Sequence, residues 1–227
     1  PERGKSVQKR LRSAYLQMSR VFKKEVEARR AQPGEDLISS MVRAQDKDDK
    51  LNDLEIISLC TQLMVAGNVT TSDLMANGLF ALMNNLDAQK KLTSDLVLIE
   101  NAVEEMLRFD CPISETARIV KSDSVVNGCP VHKGETLTAS LGAANHDPAK
   151  FKDPHVFDIE REANDHLGFG SGIHVCLGAP LARLEVQIAL KLLLQQYPNI
   201  RLNPDSPPVR RVLPFFSGFT RLDVCLE

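Results

Sequence analysis

The stretch from Leu51 to Asn85 constrains the fold more than any other part of the chain. Its apolar residues include Ile56, Leu59, Leu63, Met64, Leu74, Met75, Leu79, Phe80 and Leu82. They keep helical spacing but fall on nearly every side of the helix. A helix that is apolar all round is a buried one. The pattern therefore predicts a long helix through the middle of the protein. Asn52 reads as its N-cap, with Glu55 three residues on completing a capping box.

Other helices flank it. From Lys5 to Gln32 the residues Val7, Leu11, Ala14, Met18, Val21, Phe22 and Val26 recur every three or four positions, and Pro33-Gly34 ends the run. A shorter helix is predicted from Glu35 to about Gln45, then a charged, solvated loop over Asp46–Lys50. Another helical region runs from about Asp87 to Phe109, with a break near Thr93. Beyond Pro112 the pattern changes to short alternating runs, Ala117–Val120 and Glu135–Leu141, punctuated by Asn127-Gly128 and Lys133-Gly134. Asn145–Gly172 is rich in Asp, Pro, His and Gly and too long for a plain connection, which marks it as functional. Pro180 opens a strong helix over Leu181–Gln196. The tail Val212–Leu226 reads as a hairpin around Ser217-Gly218. The fold class is mainly α with a small β component.

Composition removes several functions. The chain has 227 residues, enough for one sizeable core or two small ones, and a net charge of −2. A phosphate binder shows a basic excess, so nucleic acid is not an expected partner. No apolar run is long enough to span a membrane. The five cysteines are odd in number and form no C-x-x-C pair, so they read as reduced thiols in an intracellular, cytoplasmic protein. The chain opens at Pro1, and Pro1–Gly4 is no signal peptide, so it reads as beginning inside a longer protein.

Three constellations carry chemistry. The first runs from Phe169 to Gly178. Gly170, Gly172 and Gly178 let the backbone turn tightly and approach something flat. Cys176 sits just ahead of a helix start, where free N–H groups favour a thiolate. A thiolate so held suits an axial iron ligand. A lone cysteine beside a glycine-rich turn is more often a buried structural thiol. The second is Glu105 and Arg108, which at i and i+3 share a helix face. By itself this pair reads as a surface contact worth little. The third is Ala66-Gly67-Asn68-Val69-Thr70-Thr71, which gives up about 2–4 kcal/mol of helix propensity relative to alanine. A buried helix with such a weak spot holds a kink or groove for a planar group, an accidental weak spot, or a boundary between two helices.

Together and in this order the residues resemble the cytochromes P450. Phe169, Gly172, Cys176 and Gly178 fill the haem-loop pattern F-x-x-G-x-x-x-C-x-G, Glu105 and Arg108 fill Glu-x-x-Arg, and Ala66, Gly67, Thr70 and Thr71 fill the central-helix pattern. The similarity is to a soluble bacterial member. It runs from about residue 5 to the end, roughly the C-terminal half of that family's single domain. On that division, residues 1–50 are two flanking helices, 51–85 the central helix, 86–109 the Glu-x-x-Arg helices, 110–172 strands and meander, 169–196 the haem loop and its helix, and 197–227 the terminal hairpin.

The resemblance implies a haem-thiolate monooxygenase with haem b, in which Cys176 ligates the iron. It implies haem propionate contacts from His174 and Arg118, and haem packing by Phe169, Gly170, Gly178, Ala66 and Gly67. Thr70 and Thr71 would handle protons beside dioxygen, and Glu105 and Arg108 would be structural. Substrate contacts would come from Val65, Val69, Ile113, Ser114, Thr116, Phe215 and Phe216. The expected partners are a small apolar organic substrate and a ferredoxin-type or other redox protein. Two departures stand out. Val69 fills the usual acid position, which leaves open a peroxide-driven enzyme or a non-catalytic ligand binder; an inactive piece of such an enzyme is a further alternative. Val156 fills the place of the arginine that completes the Glu-x-x-Arg triad, with His155 or Arg161 as substitutes.

Overall fold

The computed structural model describes residues 2–48, 51–162 and 164–227. These form two compact units, residues 1–68 and 69–227, with the division inside one helix. Among the described residues no helix is long and apolar enough to cross a membrane.

The first unit is helical. α1 (Glu2–Ala31) stops before Pro33-Gly34. α2 (Leu37–Asp48) begins after Asp36, whose Oδ1 accepts the Ser39 N–H at 2.9 Å as an N-cap does. Helix continues through Asp46–Asp48, where the sequence reads as loop; the rest of that expected loop, residues 49–50, lies outside the described residues. α3 (Asp53–Met83) opens with the capping box: Asn52 N–H donates to Glu55 Oε2 at 2.7 Å, and Glu55 N–H to Asn52 Oδ1 at 3.0 Å. Val26, Val42, Ile56, Ile57 and Cys60 make this unit's core.

In the second unit α3 continues, followed by α4 (Leu86–Ser94), a 3-10 turn over Leu96–Leu98 and α5 (Ile99–Phe109). The break expected near Thr93 is this turn, capped by Asp95, which accepts the Val97 N–H at 3.1 Å. β1 (Glu115–Ile119) pairs with the later β4 across a hairpin of β2 (Ser124–Val126) and β3 (Cys129–Val131). Asn127 and Gly128 both take positive φ, 48° and 81°, as a two-residue hairpin turn requires. β4 (Thr136–Ser140) ends one residue before the predicted strand, because Ser140 Oγ accepts the Ala143 N–H and starts α6 (Leu141–Ala144). After an irregular stretch comes α7 (Ala179–Gln196). α5 and α7 build the core from Val103, Met106 and Leu107 on one side and Val186, Leu190 and Leu194 on the other.

The tail differs from a single hairpin. β5 (Arg201–Leu202) pairs with β8 (Val224–Cys225) outside β6 (Val209–Arg210) and β7 (Phe219–Arg221). The chain reverses between Leu213 and Phe216, with Phe215 at φ 69°, rather than at Ser217-Gly218. Gly218 is needed for space: a Cβ there would stand 2.3 Å from Asp73 Oδ1.

The central helix also departs from expectation. Ile56, Leu74, Asn77 and Leu82 are buried, but Leu63, Met64, Val65 and Val69 are exposed. An apolar side chain is buried only where another element covers it, and helical spacing does not supply that element.

Candidate functional site

The loop from Phe169 to Gly178 presents a sulfur. Gly170 and Gly172 adopt φ of 69° and 73°, where a side chain would strain the backbone. A 3-10 turn over Gly172–His174 follows, and the loop closes with the Cys176 N–H donating to Phe169 O at 2.9 Å. Gly178 is the N-cap of α7, and the helix opens at Ala179, one residue before the Pro180 that the sequence reads as its start. Cys176 is exposed, which removes the reading of a buried structural thiol. Its chain neighbours Ile173, Val175 and Leu177 also have exposed side chains. A sulfur donor among exposed apolar groups is suited to a flat apolar ligand bearing a metal. His174 is exposed in the same turn.

The base of the loop is tied down by residues that the sequence reading passes over. Gly168 lies so close to α5 that a Cβ would be 2.9 Å from Leu107 O. Arg183 on α7 makes a two-pronged contact with Glu104 on α5, 2.6 Å from Nε to Oε1 and 2.8 Å from Nη2 to Oε2, and its guanidinium lies 4.7 Å from the Phe169 ring centroid. His166 Nε2 meets Glu104 Oε2 at 3.0 Å. Burial pushes the Glu104 carboxyl upward, but the hydrogen bonds from His166 and Arg183 and the Arg183 charge outweigh it and hold the carboxyl at about 2. The signal available in the sequence was the second acid beside Glu105, one position round the helix and so aimed at a different neighbour.

Glu105 and Arg108 are fully buried, which overturns the surface-pair reading. Arg108 donates to Glu105 at 2.7 and 2.8 Å and to the carbonyls of Asn145, Pro154 and Val156. Arg161 supplies the missing third member, 3.1 Å from Glu105 Oε2, and donates to the carbonyls of Lys152, Asp153 and Val156. His155 stacks on His146 instead. The Asp158 N–H and Asn164 Nδ2 complete the carboxylate's shell. The two arginines therefore satisfy five backbone carbonyls of a long stretch whose described residues form no strand or helix.

On α3 the weak segment is continuous α-helix, so it is not a boundary between two helices. Thr71 is buried and Thr70 half-buried, whereas Val65, Ala66, Gly67 and Val69 are exposed. A Cβ on Gly67 would meet nothing within 4 Å, so packing inside this chain does not demand a glycine.

The structure brings four substrate-contact candidates together. Ile113 bridges to Phe216, and the Ser114 N–H donates to Phe215 O at 3.0 Å. Asp73 and Arg211, joined at 2.6 and 2.9 Å, anchor the same tail to α3, and Asn77 Nδ2 donates to the carbonyls of Asp110 and Ser217. Thr116 is half-buried on β1. Arg118 is exposed there, with its guanidinium bonded to Thr116 Oγ1 and Ala117 O.

The profile of the family described as Cytochrome P450 matches residues 2–211. The cytochrome P450 monooxygenase PikC of Streptomyces venezuelae is 41% identical over 193 residues, which is 84% of this chain and 46% of PikC. The 6-deoxyerythronolide B hydroxylase of Saccharopolyspora erythraea is 38% identical over 205 residues, 89% of this chain and 50% of the hydroxylase. Substrate-free CYP109E1 from Bacillus megaterium superposes with a TM-score of 0.95 at 33% identity, covering 100% of this chain and 59% of that one. The chain thus spans about half the length of the curated relatives it matches. With the family profile, the relatives and the fold in agreement, the chain belongs to the cytochrome P450 family.

Proposed function

We propose that the protein is a haem-thiolate monooxygenase that inserts one oxygen atom from dioxygen into an apolar small molecule. The observation that carries this is the exposed Cys176 sulfur, held by a glycine loop among exposed apolar side chains. The residues present fit haem b. The macrocycle brings its own nitrogen donors, so one soft protein ligand is enough, and the loop offers one sulfur on an apolar surface. When bound, the haem supplies the activation of dioxygen.

In this reading Cys176 would ligate the iron, Phe169, Gly170 and Gly178 would shape the loop against the ring, and Ala66 and Gly67 would leave room for the ligand. Ala66 and Gly67 are exposed in this chain, which is compatible with a ligand-facing role. His174 and Arg118 pair with the propionates, and both are exposed cation-forming side chains. Thr70 holds and passes a proton through its hydroxyl, with Thr71 beside it. Val69 has no carboxylate to offer, so the relay rests on hydroxyls and water. Val65, Val69, Ile113, Ser114, Thr116, Phe215 and Phe216 line the substrate side. Glu105 and Arg108 fix the core behind the loop.

An apolar substrate is supported by those lining residues and by two structural relatives. CYP109E1 has been solved with testosterone, and P450BioI with a fatty acid on an acyl carrier protein. In this reading electrons come from a ferredoxin-type or other redox protein, the partner that the family resemblance implies. Val69 favours one second reading, a peroxide-driven enzyme, which would form product from peroxide without any reductase.

The test is a carbon monoxide spectrum of the dithionite-reduced, haem-loaded protein. A red-shifted Soret band that disappears in Cys176→Ala is the expected result. A band that persists in that variant, or no haem band in the parent, overturns the assignment.

A further inference from the structure

Glu104, His166 and Arg183 form a cluster with a geometry beyond that of a surface tie. The backbone N–H of Gly168 can only donate, and it meets His166 Nδ1 at 3.0 Å. That nitrogen therefore accepts, and the ring proton sits on Nε2, donated to Glu104. The His166 side chain is 3% exposed, so this tautomer is fixed by its surroundings. Arg183 spans Glu104 with its fork and lays its face on Phe169. The carbonyl of that same Phe169 accepts the Cys176 N–H. A continuous path thus runs from α5 through Arg183 and Phe169 to the backbone of the sulfur-bearing residue, while His166 holds the Phe169 stem of the loop at Gly168.

We infer that Glu104, His166 and Arg183 are a brace that holds the Phe169–Cys176 loop in the sulfur-presenting conformation, with Arg183 as the positioning residue that favours thiolate ligation of haem. The haem clause rests on the function proposed above; the brace does not. Arg183 acts through Phe169 and does not itself touch the ligand. Losing its fork frees Phe169 to turn, and the loop then loses the bond that closes it.

Hydrogen exchange of the 227-residue chain reads the brace without haem. In Arg183→Gln the Cys176 amide is expected to exchange about tenfold faster, the size of one lost charged hydrogen bond, while the α7 amides keep their protection. Arg183→Lys retains charge without fork or stacking and should fall between. Glu104→Gln gives an independent break should Arg183→Gln fail to fold. Unchanged exchange at Cys176, or a rise shared equally by α7, overturns the brace. In the haem-loaded protein, Arg183→Gln should shift the carbon monoxide complex from the red-shifted thiolate band toward the shorter-wavelength band of a lost thiolate. An unshifted band overturns the haem clause. A parent protein with no red-shifted band defeats the function reading itself, and the exchange result still decides the brace.

Discussion

A carboxylate and a guanidinium three residues apart are worth little on a wet helix and a great deal in a dry core. Glu105 and Arg108 are in the second situation, and Arg161 and Asn164 share the same carboxylate. Replacing Glu105 by Gln leaves two guanidiniums without their counter-charge. The expected loss is about 3–5 kcal/mol, read as a lower midpoint in urea with an unchanged slope. In the function proposed above, Thr70 serves the chemistry rather than the core. Thr70→Ala should cut product formation by on the order of a hundredfold while oxygen consumption continues; unaltered coupling would remove Thr70 from the proton path. The Glu-x-x-Arg spacing was legible in the chain, but its third partner was narrowed only to His155 or Arg161. Arg161 lies far from Glu105 in sequence, and only the path of the irregular stretch brings the two together.

Among elements, α5 and α7 are joined twice, by their apolar core and by the Glu104–Arg183 contact. The second joint is pH-dependent. Glu104 ionises at about 2 in the folded protein, against an ordinary 4.5. Its contribution is therefore complete above pH 4.5 and is lost as pH falls from there to about 2. It amounts to about 3 kcal/mol at most. Stability measured across that window should fall less steeply in Glu104→Gln than in the parent; parallel acid limbs would mean that the pair does not matter. Helix starts were readable because caps are local: Asn52 and Glu55 satisfy each other within one turn. The tail reversal was not. Its Ser217-Gly218 is a common turn signal, but Gly218 is used to let the chain pass Asp73.

At the scale of the molecule, the exposed apolar surface is unusual. On α7 the residues Leu181, Leu184, Ile188 and Leu192 are exposed at helical spacing, opposite the buried Val186, Leu190 and Leu194. The net charge of −2 offers little repulsion between copies. The 227-residue chain should therefore bind an apolar dye and self-associate. Leu184→Lys with Ile188→Glu should reduce both effects and leave the helical circular dichroism intact. Sedimentation showing the same association in this variant would count against the α7 face as the cause.

The chain's own order of residues determined the family, the helix-rich class, the capped start of α3 and the sulfur-bearing loop. Each of these depends on neighbours within a few positions, where spacing and chemistry act directly. Tertiary structure alone decided that Glu105 and Arg108 are buried, that Arg161 completes their shell, and that Arg183 reaches Phe169. It also decided that the middle of α3 stays exposed. These are outcomes of which distant segments meet, and a contact's strength is set by the water that those segments exclude.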